Sequence, residues 1–142
     1  MELLNRLRGI YGAYIEKTVQ LQNDRKIFQG VLGFGAKLSD DPCHGQFAAD
    51  VEAIVAEMAA EVSAEEAQAA LEFMLKIPEE HKGNTLAYWM LLAVHGKTNP
   101  LVAKLAAEGA SELLKWYEKQ YPKRMRLPVQ KDLVKQLNAA AK

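Results

Sequence analysis

At 142 residues the chain has the length of one domain and is long enough to bury a real core, since about 150 residues hide roughly 70% of their unfolded surface. Its 49% hydrophobic and 25% charged residues are those of a globular protein. Eighteen basic residues balance eighteen acidic ones, so no global field points to nucleic acid or a membrane, and the single cysteine, Cys43, excludes an internal disulfide and fits a reducing compartment.

The charge is unevenly placed. Residues 1–38 carry six basic and three acidic side chains, residues 39–118 five and fourteen, and residues 119–142 seven and one. The plain reading is that the basic ends fold back on the acidic middle or face water. Alanine, leucine, glutamate and lysine dominate, and β-branched runs are absent, which favours helix. Met1 to Arg6 is amphipathic, unlike a basic leader before an apolar core. No signal peptide, lipidation motif or membrane span is expected, and the expected address is cytoplasmic.

In chain order, Leu4, Leu7, Tyr11, Tyr14, Thr18, Leu21, Arg25, Phe28 and Leu32 step by three and four, a helical stripe from Glu2 to about Phe34. Gly9 and Gly12 weaken it, by up to about 1 kcal/mol each. Asn23-Asp24 offers a break, and Gly33 and Gly35 a stop. Ser39-Asp40-Asp41 before Pro42 is a strong helix start. Cys43, Phe47, Val51, Ile54, Val55, Met58 and Val62 follow as a buried stripe. Ser63 opens a capping box with Glu66, and Pro78 closes the helix carrying Ala67, Ala70, Leu71, Met74 and Leu75. Residues 84–96 then read as a helix apolar on every face, which must be surrounded by other elements. At about twelve residues it falls short of the roughly 20 that span a bilayer. Asn99-Pro100 starts a short helix, and Ala110, Leu113, Leu114, Tyr117 and Tyr121 line another. A basic loop, Lys123 to Arg126, leads to a last helix opening at Pro128.

The expected fold is all-α: one compact domain, 1–142, of about six helices around a buried central helix, 84–96. A 43-residue period runs through it. Pro42, Thr85 and Pro128 each open a helix, and Phe47, Met90 and Leu133 correspond, as do Val51, Val94 and Leu137. Phe28, Leu71 and Leu114 also correspond, as do Val31, Met74 and Tyr117. A two-helix unit of about 40–47 residues has the size of a HEAT or armadillo repeat. Two arrangements remain open, an irregular bundle and a stack of helix pairs.

Four groups of residues bear on chemistry. Cys43 with His44 near a helix start is a candidate reactive thiol, although Asp40 and Asp41 disfavour the thiolate and a small buried role is commoner. His44, His81 and His95 match no metal spacing, and His95 suits a helix C-terminus, where carbonyls lack partners. Gly30 to Gly35 lacks the lysine of a phosphate loop and reads as a helix stop. Lys123, Arg124, Arg126, Lys131 and Lys135 form a candidate basic binding surface, the last two opposite Leu133 and Leu137.

No catalytic residue, cofactor or metal is expected. The favoured reading is a small non-catalytic helical module that binds another protein or itself, with a homodimer through residues 2–34 as one form. A nucleic-acid-associated protein using the basic C-terminal helix is the alternative, and an enzyme using Cys43 and His44 a minor one.

Overall fold

The computed structural model describes the backbone of residues 2–32, 43–81, 85–95 and 97–142, with their side chains except 19–32, 43, 81, 85–89 and 125. Among the described residues there are seven α-helices and no strand: α1 Glu2–Leu32, α2 Cys43–Glu61, α3 Ala64–Lys76, α4 Thr85–Val94, α5 Asn99–Val102, α6 Ala107–Gln120 and α7 Pro128–Ala140. Short 3-10 turns cover Ile77–His81 and Lys123–Met125. The chain is therefore all-α.

Helix α1 is continuous, and neither its glycines nor Asn23-Asp24 interrupts it. Its 31 residues span about 46 Å. Burial of Leu4, Leu7, Tyr11 and Tyr14 supplies the packing that outweighs two glycines. Thr18, also buried, donates its hydroxyl to the Tyr14 carbonyl at 2.8 Å. The stop at Gly33 and Gly35 and the cap at residues 39–42 lie outside the described residues.

Helix α2 buries Phe47, Val51, Ile54, Val55 and Met58 against α1 and α4. It runs antiparallel to α1, because Arg6 meets Glu57 while Tyr14 meets His44 and Phe47. The 19 residues of α2 thus lie along the first half of α1. In α3, Ser63 caps as expected: its hydroxyl accepts the Glu66 N–H at 3.2 Å. At Pro78 the helix does not simply stop. After Lys76 the chain tightens into a 3-10 turn with Ile77 and Pro78 buried.

The 43-residue spacing recurs in the helix boundaries. Ser63 and Ala106 both hold extended backbone immediately before α3 and α6. Ala67, Ala70 and Met74 are buried, as are Ala110, Leu113 and Tyr117. Phe47, Met90 and Leu133 are buried at corresponding places, and so are Val51, Val94 and Leu137. Contacts between elements follow the same plan: α3 touches α1 and α6, α2 touches α4 and α5, and α5 touches α7. Helix α1 packs most extensively on α2, and α6 on α7, while α4 packs mainly on α2 and the first 3-10 turn. The side chains of Phe28 and Val31 lie outside the described residues.

The expected central helix is α4, which packs on α2, α3 and the first 3-10 turn. Met90, Ala93 and Val94 are buried, whereas Leu91 and Leu92 are half-buried. The side chains of Leu86, Tyr88 and Trp89 lie outside the described residues.

A chain of hydrogen bonds joins α4, α6 and α7 inside the apolar core. His95 Nδ1 lies 2.6 Å from the Leu91 carbonyl, which only accepts, so Nδ1 carries the proton. The other nitrogen, Nε2, then accepts from the Tyr117 hydroxyl at 2.5 Å. Gln130 takes the Leu127 N–H on its Oε1 at 2.9 Å, which leaves its NH2 to donate to Tyr117. Every member is satisfied, as a buried polar network requires. Burial holds His95 below the ordinary imidazole value of 6.5 and pushes the Tyr117 hydroxyl up. Tyr11 is the contrary case: its buried hydroxyl has no hydrogen-bond partner among the described residues.

The two buried tyrosines should respond oppositely to loss of the hydroxyl. Tyr117→Phe strands His95 Nε2 and the Gln130 amide and should cost about 1–3 kcal/mol in urea denaturation. Tyr11→Phe removes an orphan and should be neutral or stabilising. A second prediction concerns acid. His95 is neutral in both states at high pH, so it contributes no slope there. As pH falls below about 6.5 the unfolded imidazole protonates first, and stability is lost towards the lower folded value. Tm should be flat above about pH 7 and fall below it, and His95→Gln should flatten that acid limb.

Candidate functional site

Of the two stretches singled out from sequence, the start of α2 borders the groove described below, and the basic C-terminal segment does not line it. Cys43 opens α2, but its side chain and Asp40 and Asp41 lie outside the described residues. His44 is a core residue, 6% exposed, with Nδ1 2.7 Å from the Tyr14 hydroxyl. Its imidazole is held by the α1–α2 contact and faces the Tyr14 ring edge-on. His95 donates at a helix C-terminus, as expected, but it is buried and neutral, with Tyr117 on its far side. The His81 side chain lies outside the described residues.

The basic C-terminal segment is arranged as its spacing implies. Lys131 and Lys135 are exposed on α7, opposite the buried Leu133 and Leu137. Lys123 and Arg124 are exposed in the 3-10 turn before it. Arg126 differs: it is half-buried, and its Nε donates to the Tyr121 carbonyl at 2.7 Å. Its head group closes the turn after α6. The aromatic residues near it are mainly packing. Tyr117 and Tyr121 lie 4.7 Å apart, and Lys76 sits 5.4 Å over the Trp116 ring. Burial, with the Glu79 charge beside it, pushes the Tyr121 hydroxyl up to about 12.

Among the described residues, an open concave feature lies between α1 and α2. It is a groove of about 600 Å³. Its floor is apolar and low: Gly9, Ile10 and Ala13 from α1 face Phe47, Ala53 and Ile54 from α2. Gly9, Ala13 and Ala53 are exposed, and a Cβ at Gly9 would meet nothing within 4 Å. The rim is charged, and its signs are sorted by helix. Arg6 and Lys17 stand on the α1 wall, Asp50 and Glu57 on the α2 wall. At one end Arg6 grips Glu57 with two hydrogen bonds, 2.9 and 3.0 Å, which hold that carboxyl below its usual range. At the other, Gln46 donates to Asp50 at 2.8 Å, and Lys17 makes no ion pair among the described residues. An apolar floor with a charged rim is the anatomy of a protein-docking surface.

Sequence reasoning missed this groove. It took Gly9 and Gly12 as weak points of a helix and read α1 through its buried stripe. The usable signal was Gly9 and Ala13, four apart and so on one face. The Arg6–Glu57 pair is also one instance of a basic end folding onto the acidic middle.

No family model, curated protein or solved structure matches this chain. No described helix is long and apolar enough to cross a membrane.

Because Lys131 and Lys135 are exposed, reversing both charges should leave stability within about 0.5 kcal/mol in chemical denaturation. A larger loss would show that these lysines anchor α7 to the body of the protein.

Proposed function

We propose that this chain is a small cytoplasmic, non-catalytic helical module that binds a helix of a protein partner in the α1–α2 groove. The observation that carries the reading is the groove itself, with its small apolar floor between a basic and an acidic wall. Gly9, Ala13 and Ala53 keep both helix backbones near the surface, so a third helix can approach closely. Such a helix lays an apolar stripe on the floor and sets its own charges against the rim. Lys17 meets an acidic group of the occupant and Asp50 a basic one, while the Arg6–Glu57 pair closes the other end of the groove.

A second reading rests on the exposed Lys131 and Lys135 beside Lys123 and Arg124. These side chains are placed to contact phosphates, each contact adding to a salt-dependent affinity. It is the weaker reading because the feature is a convex helix face with a mobile-chain chemistry common to solvated surfaces.

A photo-crosslinking amino acid placed at Ala53, and separately at Lys135, tests both in living cells. The groove reading expects a protein adduct at position 53 that resists nuclease. A nuclease-sensitive adduct at 135, with none at 53, would replace it with the nucleic-acid reading.

A further inference from the structure

We propose that this chain carries an acid-operated latch: a proton taken up by His95 breaks the polar chain that seats α7, and α7 detaches while α1, α2 and α3 stay folded. The argument is the direction of the hydrogen bonds. From α7 to the Leu91 carbonyl every donor points the same way. The Leu127 N–H donates to Gln130 Oε1, the Gln130 amide to the Tyr117 oxygen, the Tyr117 hydroxyl to His95 Nε2, and His95 Nδ1 to Leu91. A proton on Nε2 turns that atom from acceptor to donor. The Tyr117 oxygen then faces two N–H groups, and its own proton has no acceptor among the described residues. Turning the Gln130 amide over supplies one, but sets the amide NH2 against the Leu127 N–H and opens the bond that caps α7. Either way a buried donor is left unpaired at the seat of α7.

The new charge has no counterion either. His95 is buried, and no carboxylate bonds to it among the described residues. The charged groups around it are committed elsewhere. Glu79 lies beside Tyr121, the ring next to Tyr117, and Arg126 adds a further positive charge near Tyr117. Lys97, two residues after His95, pairs with Glu52 of α2 at 2.9 Å. Lys76 of α3 lies over the Trp116 ring, and α7 turns Lys131 and Asp132 to solvent. His44, also buried, belongs to the separate contact of α1 with α2. What yields is the element held by the fewest others. Helix α7 packs mainly on α6 and α5, and as the last helix it can leave without displacing another. Its neighbours are tied to the body without it: Lys104, just after α5, donates to the Val62 carbonyl at 2.8 Å, and α6 packs on α3. A local penalty at such a place is met by local opening.

Amide exchange of the full chain, followed by NMR from about pH 7 to about pH 5 together with the ring titration of His95, tests the latch. Burial holds seated His95 below 6.5, and in the detached form it regains that ordinary value, so the detached form takes the proton first. Protection of the α7 amides, measured against unprotected peptide rates, should therefore fall with pH. The fall should reach up to about tenfold for each pH unit below the ordinary imidazole value, and level off where seated His95 itself titrates. The α2 amides should keep their protection throughout. His95→Gln should hold α7 protection constant over the same range, and where that variant does not fold the wild-type titration decides alone. Unchanged α7 protection across the range would overturn the latch. So would α2 and α7 losing protection together, a fall that does not level off where His95 titrates, or one that persists in folded His95→Gln.

Discussion

The antiparallel register of α1 on α2 is the constraint from which the functional reading follows. Tyr14 sets it. Its ring stacks face to face on Phe47 at 4.0 Å, and its hydroxyl reaches His44 at 2.7 Å. Face-to-face rings are not the preferred geometry for two aromatic side chains, so the packing around them and the hydroxyl contact hold them there. Arg6 and Glu57 fix the same register two turns away. With both ends pinned, α2 cannot slide, and the helix faces are assigned. Leu7, Tyr11 and Tyr14 go inside, while Gly9, Ala13 and Ala53 are left lining a trough. A helix rotated by one residue would expose Tyr11 and bury Gly12.

The joint of α4, α6 and α7 is organised by polarity. His95, Tyr117 and Gln130 are buried, and each alone would be costly there. Together they satisfy one another, and the acceptor-only Leu91 carbonyl fixes the direction of every proton in the chain. That makes the joint of α4, α6 and α7 specific, since no apolar substitute demands one alignment. It also makes the joint dependent on a neutral imidazole. Tyr11 shows the alternative, a large ring used for its area, edge-on to Phe47 and Phe73, with its hydroxyl unpaired among the described residues.

Much of this was legible in the residues, for a physical reason. Helix periodicity, prolines at helix starts and the Ser63 cap are local, and they gave the elements and most of the buried stripe. The 43-residue period matched helix starts and buried positions, because each helix has to meet the same core with one face. What the sequence could not carry was relative placement. Nothing local says that Phe47 stacks on Tyr14, or that Tyr117 donates to His95 twenty-two positions away. The continuity of α1 was likewise decided by packing that overrides two glycines. The groove went unseen for the same cause. Small residues on an exposed face look like weak helix until a second helix lies alongside and turns them into a floor. The basic surface, by contrast, was read correctly as a face but not in detail, because Arg126 is committed to the Tyr121 carbonyl.

An accessible floor beside a buried stripe is the central consequence of this register. Methyl relaxation by a soluble paramagnetic agent, followed by NMR in dilute protein, reads both at once. The Ala13 and Ala53 methyls should be strongly relaxed, and the Val51 methyls shielded. Val51 relaxed as strongly as Ala53, or Ala13 and Ala53 shielded as completely as Val51, would contradict the register of α1 on α2.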